Sequence, residues 1–132
     1  MILCLAYPTD AFHGSELQAA AFSVSSIDNY ASAKECAQKW PRSNTSDIHS
    51  EEVGGLHFQA AKASETGNSH VADQRIYRIF HKGTCYEVDV NVTIALDSAF
   101  AAEDAPRKLT QAERQTIEGT LMKAMSGFRF LK

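Results

Sequence analysis

The stretch HKGTCYEVDVNVTIAL, residues 81–96, decides how the rest of the chain is read. Tyr86, Val88, Val90, Val92, Ile94 and Leu96 fall in one phase of a period-two pattern; Cys85, Glu87, Asp89, Asn91 and Thr93 fall in the other. Successive strand side chains point to opposite faces, so this alternation predicts an antiparallel strand with an apolar face on the core and a polar face toward water. Residues 81–84 (His-Lys-Gly-Thr) read as a tight turn centred on Gly83. One residue is out of step. Cysteine prefers burial, yet Cys85 keeps phase with the carboxylates.

Upstream, QRIYRIF (74–80) has apolar side chains in both phases, as for a central strand covered on two sides. Gly54-Gly55 opens LHFQAAKA, where Leu56, Phe58 and Ala60 alternate with His57, Gln59 and Ala61, and SETGNSHVAD (64–73) is expected to be the loop of a long hairpin. Residues 57–96 therefore predict a three-strand antiparallel meander. The polar, Ser-rich RSNTSDIHSEE (42–52) is expected to be an exposed loop.

At the start of the chain, Met1–Tyr7 reads as a buried strand closed by Pro8, with Cys4 as an inert, buried thiol; LQAAAFSVSS (17–26) gives its antiparallel neighbour. The apolar run MILCLAY has no basic segment before it and no cleavage site after it, so a strand is favoured over a signal peptide. Ser32 and Glu35 fit a capping box ahead of a short helix at about 33–39, ended by Trp40-Pro41. Thr110 and Glu113 fit a second, ahead of a helix to about 126 with Ile117, Leu121, Met125 and Phe128 on one stripe and a glycine at its C-cap. The fold class is thus α+β: one domain, residues 1–132, with an antiparallel sheet of about five strands and two helices packed on it.

Composition narrows the functional classes. Hydrophobic residues make up 44% and charged residues 22% of the 132, which is ordinary globular usage. The net charge is −3, and Arg107-Lys108 is the only basic cluster, which argues against nucleic acid. No apolar run approaches the length of a membrane span. The three cysteines lack zinc spacing, and no GxxxxGK[ST], GxGxxG, GxSxG or HExxH pattern occurs. No cofactor, metal or catalytic residue is expected.

On the polar face of the expected 81–93 strand, Cys85, Glu87 and Asp89 are the candidates for chemistry. Neighbours on one strand face stand about 6.5–7 Å apart, too far to share a small ion without a ligand from elsewhere. His81 shares the phase of Cys85, but nothing beside the pair marks an oxyanion hole. The residue that explains a cysteine there is a partner on an element crossing that face. Cys36, set among small alanines on the short helix, is the candidate. Closing that loop would stabilise the fold by about 4 kcal/mol in an oxidising compartment. The alternative is two independent free thiols in a cytosolic protein.

In outline the chain resembles small uncharacterised bacterial exported domains and is similar to the PsbP/Mog1-like α/β sandwich group. The residues that carry the likeness are Leu56-His-Phe58, the Gly-Asn loop, Arg75-Ile-Tyr-Arg78, Gly83-Thr-Cys-Tyr-Glu87 and Met125-Ser-Gly-Phe-Arg-Phe130. The resemblance implies an antiparallel sheet flanked by helices and a non-catalytic accessory role. Two functional expectations follow. The first is a non-enzymatic periplasmic or extracellular domain that binds a protein partner or small ligand, held by Cys36–Cys85. The second is a small cytoplasmic enzyme or ligand-binding protein that uses the Cys85/Glu87/Asp89 face.

Overall fold

The computed structural model describes residues 2–12, 14–40, 44–97 and 100–130. Six antiparallel strands form one sheet: β1 (Leu3–Ala6), β2 (Leu17–Ile27), β3 (Thr45–Val53), β4 (Leu56–Thr66), β5 (His70–His81) and β6 (Thr84–Ala95), in the order β1-β2-β6-β5-β4-β3. Among the described residues two α-helices, α1 (Ala33–Gln38) and α2 (Gln111–Ser126), accompany the sheet. The α+β expectation holds, with one strand more than the five read from sequence.

The extra strand is β3, in the segment read as a polar loop. Its hairpin to β4 turns on Gly54-Gly55, both with positive φ (59° and 85°), the pattern of a tight hairpin turn whose twist matches the strands. Gly54 is fixed twice over: a Cβ there would also meet the Ser126 carbonyl at the end of α2. The β4–β5 connection is shorter than expected. Most of 64–73 belongs to the strands themselves, and only residues 67–69 turn. At the β5–β6 hairpin, Lys82 and Gly83 take φ of 48° and 82°, as the turn around Gly83 requires.

The two faces of the sheet carry different cores. On one, Phe22, Val24, Phe58, Tyr77, Val88 and Val90 pack with Ile117, Leu121 and Met125 of α2. Each fully buried apolar side chain of this size contributes about 1.5–3 kcal/mol. Thr110 caps α2 by accepting from the Glu113 amide at 3.1 Å, and Glu113 reciprocates toward the Thr110 amide at 2.9 Å, which completes the predicted capping box. After α2 the chain crosses back over the sheet, and Phe130 stacks on His81 with ring centres 3.8 Å apart.

On the opposite face lies α1, started by Ser32, whose hydroxyl accepts from the Glu35 amide. Its Cys36 is bonded to Cys85 of β6, and both are buried. The expectation of a solvated polar face is therefore corrected where α1 covers it: Cys85 is fully buried and Glu87 nearly so. A second correction concerns Cys4, read as buried but exposed in the structure. β1 is an edge strand whose four residues are all exposed, so an apolar sequence does not bring burial there. Pro41 and His13 lie outside the described residues, as do the last two residues of the closing FRFLK.

Candidate functional site

Beside the first half of α2, the β4–β5–β6 surface is left uncovered and forms a groove of about 360 Å³. That is within the range of small-molecule sites. Its floor is apolar, built from Val90, Val92 and Ile94 of β6 and Ile117 of α2. Strand alternation puts the three β6 residues on one face, and the helical stripe brings Ile117 over them. Its walls are polar: Lys62 and Ser64 from β4, Asp73 and Arg75 from β5, Arg114 and Glu118 from α2.

The wall charges are held by neighbours rather than free. Arg75 lies 3.8 Å from Glu118 across the groove, with both side chains near half exposure. Lys62 lies 3.6 Å from Asp47 of β3. Arg114 is anchored from behind: its guanidinium donates at 3.1 Å to Glu16, a carboxylate only 1% exposed. The same Glu16 oxygen accepts from the Leu109 amide at 3.0 Å, and Lys108 Nζ approaches the other at 3.4 Å. Of these charges, Lys62, Arg75 and Arg114 line the groove against Asp73 and Glu118, so its lining is cationic by one charge.

Next to this groove a smaller cleft gathers Asp47, His49, Glu51, Arg75 and Tyr77. The bulge in β3, where Asp47 takes φ 55°, turns the Asp47 carbonyl to His49 Nδ1 at 2.7 Å; Nε2 faces Glu51 at 3.0 Å. Both ring nitrogens thus face acceptors. The Glu51 hydrogen bond first, and the Asp47 carbonyl second, raise the His49 pKa above 6.5. Burial, then the Glu51 charge, raises the Tyr77 phenol above 10.

The residues singled out from sequence lie elsewhere, beneath α1. Glu87 Oε2 receives Arg78 Nε at 3.1 Å, and this ion pair is buried. The Arg78 guanidinium lies over the Trp40 ring, 4.2 Å from its centre, with Tyr30 at 5.2 Å, and it also donates to the Lys39 carbonyl. Cys36–Cys85 therefore sits beside an aromatic-sheathed ion pair, and Glu87 is committed to Arg78. Asp89 lies farther along β6, opposite Ile76 of β5 and Ser23 of β2. The structure brings Cys36 and Cys85 together but does not gather Cys85, Glu87 and Asp89 around an open cavity. Among the described residues, no group of three or more His, Cys, Asp or Glu side chains is placed to hold a metal ion.

Sequence reasoning missed the groove. Its floor was legible as the apolar phase of β6. Its walls were not, because Lys62, Arg75 and Arg114 come together only when β4, β5 and α2 are assembled. No protein-family model, curated protein or solved structure matches this chain.

Proposed function

We propose that this chain is a non-enzymatic binding domain of an oxidising compartment, periplasmic or extracellular, that takes a small ligand in the groove beside α2. The ligand class is an amphiphile with an apolar body and an anionic head. The observation that carries this reading is the groove itself: an apolar floor of Val90, Val92, Ile94 and Ile117 under a rim bearing Lys62, Arg75 and Arg114. Apolar surface left open to water favours an occupant that covers it, and a lining cationic by one charge favours an anionic group beside it.

The Cys36–Cys85 disulfide supports the compartment, since such bonds persist where thiols are not kept reduced. The resemblance to the PsbP/Mog1-like sandwich group, on the motifs from Leu56 to Phe130, fits an accessory role of this kind. Among the described residues no helix is long and apolar enough to cross a membrane.

Anilinonaphthalene sulfonate, an apolar dye with one anionic group, is a suitable probe. Its fluorescence should rise and saturate at one dye per folded chain. Val92→Glu, which puts a carboxylate on the floor, and Arg75→Glu, which reverses the rim, should each weaken binding at least about tenfold. Near-ultraviolet circular dichroism should show that both variants keep their packing. Folded variants that bind as tightly as the wild type would reject the groove as the site.

A further inference from the structure

The two edges of the sheet are not alike. β3 carries Asp47, His49, Glu51 and Glu52, and its register shifts between Ser46 and His49. Charges and a bulge are the usual means of keeping an edge from pairing with another chain. β1, Leu-Cys-Leu-Ala, has no charge and no proline. All four of its residues are exposed, Leu3 and Leu5 at 44% and 49%, and Ile2 just before it is 60% exposed.

The hydrogen-bonding direction of this edge follows from its pairing with β2. Tyr7 donates to the Ala20 carbonyl at 2.8 Å, and the register continues as Leu5 opposite Phe22 and Leu3 opposite Val24. Antiparallel ladders alternate, so Leu3, Leu5 and Tyr7 turn their backbone groups to β2 while Cys4 and Ala6 turn theirs outward.

We propose that β1 pairs antiparallel with β1 of a second copy of this chain, about a two-fold axis through Cys4, joining two sheets into one. A second copy fits because the edge is self-complementary in this register. Leu3 meets Leu5 of the second copy, Ile2 meets Ala6, Cys4 meets itself, and no like charges oppose. Cys4 N–H groups donate to each other's carbonyls, and each Ala6 N–H donates to the Ile2 carbonyl opposite. The Ile2 N–H is already given to Val24.

Opposed residues in a hydrogen-bonded pair stand about 5.5 Å apart at Cα, a separation that a disulfide spans. The two Cys4 thiols then give two protons and two electrons to a disulfide oxidant such as oxidised glutathione, which leaves as two thiols, and an S–S bond joins the chains. The conditions that keep Cys36–Cys85 oxidised supply such an oxidant. This inference does not rest on the groove.

Light scattering of the full chain tests it. Without reductant the mass should be twice the 14.5 kDa of one chain, with the cross-link mapped to Cys4. Cys4→Ser should lose the cross-link but keep the doubled mass at high micromolar concentration. Cys4→Pro removes the outward N–H and leaves the ladder to β2 intact; it should give single chains with an unchanged far-ultraviolet spectrum. Leu5→Lys should do the same and serves if the proline variant does not fold. Single chains of Cys4→Ser, or dimers that survive both Cys4→Pro and Leu5→Lys, would overturn the proposal.

Discussion

Arg78 and Glu87 show why the polar phase of β6 is polar. Each would be costly to bury alone, and together with Trp40, Tyr30 and the Lys39 carbonyl they form a closed set beneath α1. Removing one member of a buried pair leaves the other charge uncompensated, at a cost of about 3–5 kcal/mol. Glu87→Ala should therefore lower the free energy of unfolding in urea by that amount, with a correspondingly lower midpoint. The double change Arg78→Met with Glu87→Leu should recover most of the loss. Equal stabilities for wild type and Glu87→Ala would mean the pair is not buried. Trp40 is the only tryptophan in the chain, so its fluorescence reports on this cluster directly. From sequence, Glu87 could be assigned to the polar phase but not to Arg78, because the pairing depends on the β5–β6 register, Arg78 opposite Glu87. Cys85 was the legible clue: a cysteine among carboxylates implied a covering element with a second cysteine.

At the level of elements, α2 was readable almost to its ends because cap, stripe and C-cap glycine all agree over sixteen residues. β3 was not readable. An edge strand pairs on one side only and here exposes both charged and polar residues, so its sequence carries no apolar alternation. β1 misled in the opposite sense: an apolar run predicted burial, and its place at the other edge left it exposed. The N-terminus of α2 carries a testable acid response. Glu113 is held at about pH 2, below the ordinary 4.5, first by the Arg107 guanidinium and then by the Thr110 amide. A carboxyl depressed in the folded state adds stability that is complete above about pH 4.5 and is lost as pH falls toward 2. Glu113→Gln should thus be less stable than the wild type at neutral pH, and the difference should vanish between pH 4.5 and 2. A difference in unfolding midpoint that stays constant across that window would contradict this account of the cap.

The whole molecule is a sheet with two unequal coverings. α2 brings a long apolar stripe and is held by packing. α1 is six residues long, too short to persist alone, and is held by one covalent bond and one ion-pair cluster. The disulfide closes a loop of 49 residues and stabilises the fold by about 4 kcal/mol on the chain-entropy model. Cys36→Ser with Cys85→Ser should accordingly lose about 2–5 kcal/mol of unfolding free energy and unfold at lower denaturant, with Trp40 changing first. An unchanged midpoint would show that α1 does not depend on the bond. Because α2 crosses the sheet beside the β4–β5–β6 surface rather than over all of it, the groove is a property of the assembled fold. Backbone-amide NMR during a titration with anilinonaphthalene sulfonate tests its role most directly. The account predicts saturating shifts clustered at Lys62, Arg75, Val92, Arg114 and Ile117, with β1 and α1 unmoved. Shifts confined to other surfaces, or none at saturating dye, would contradict it.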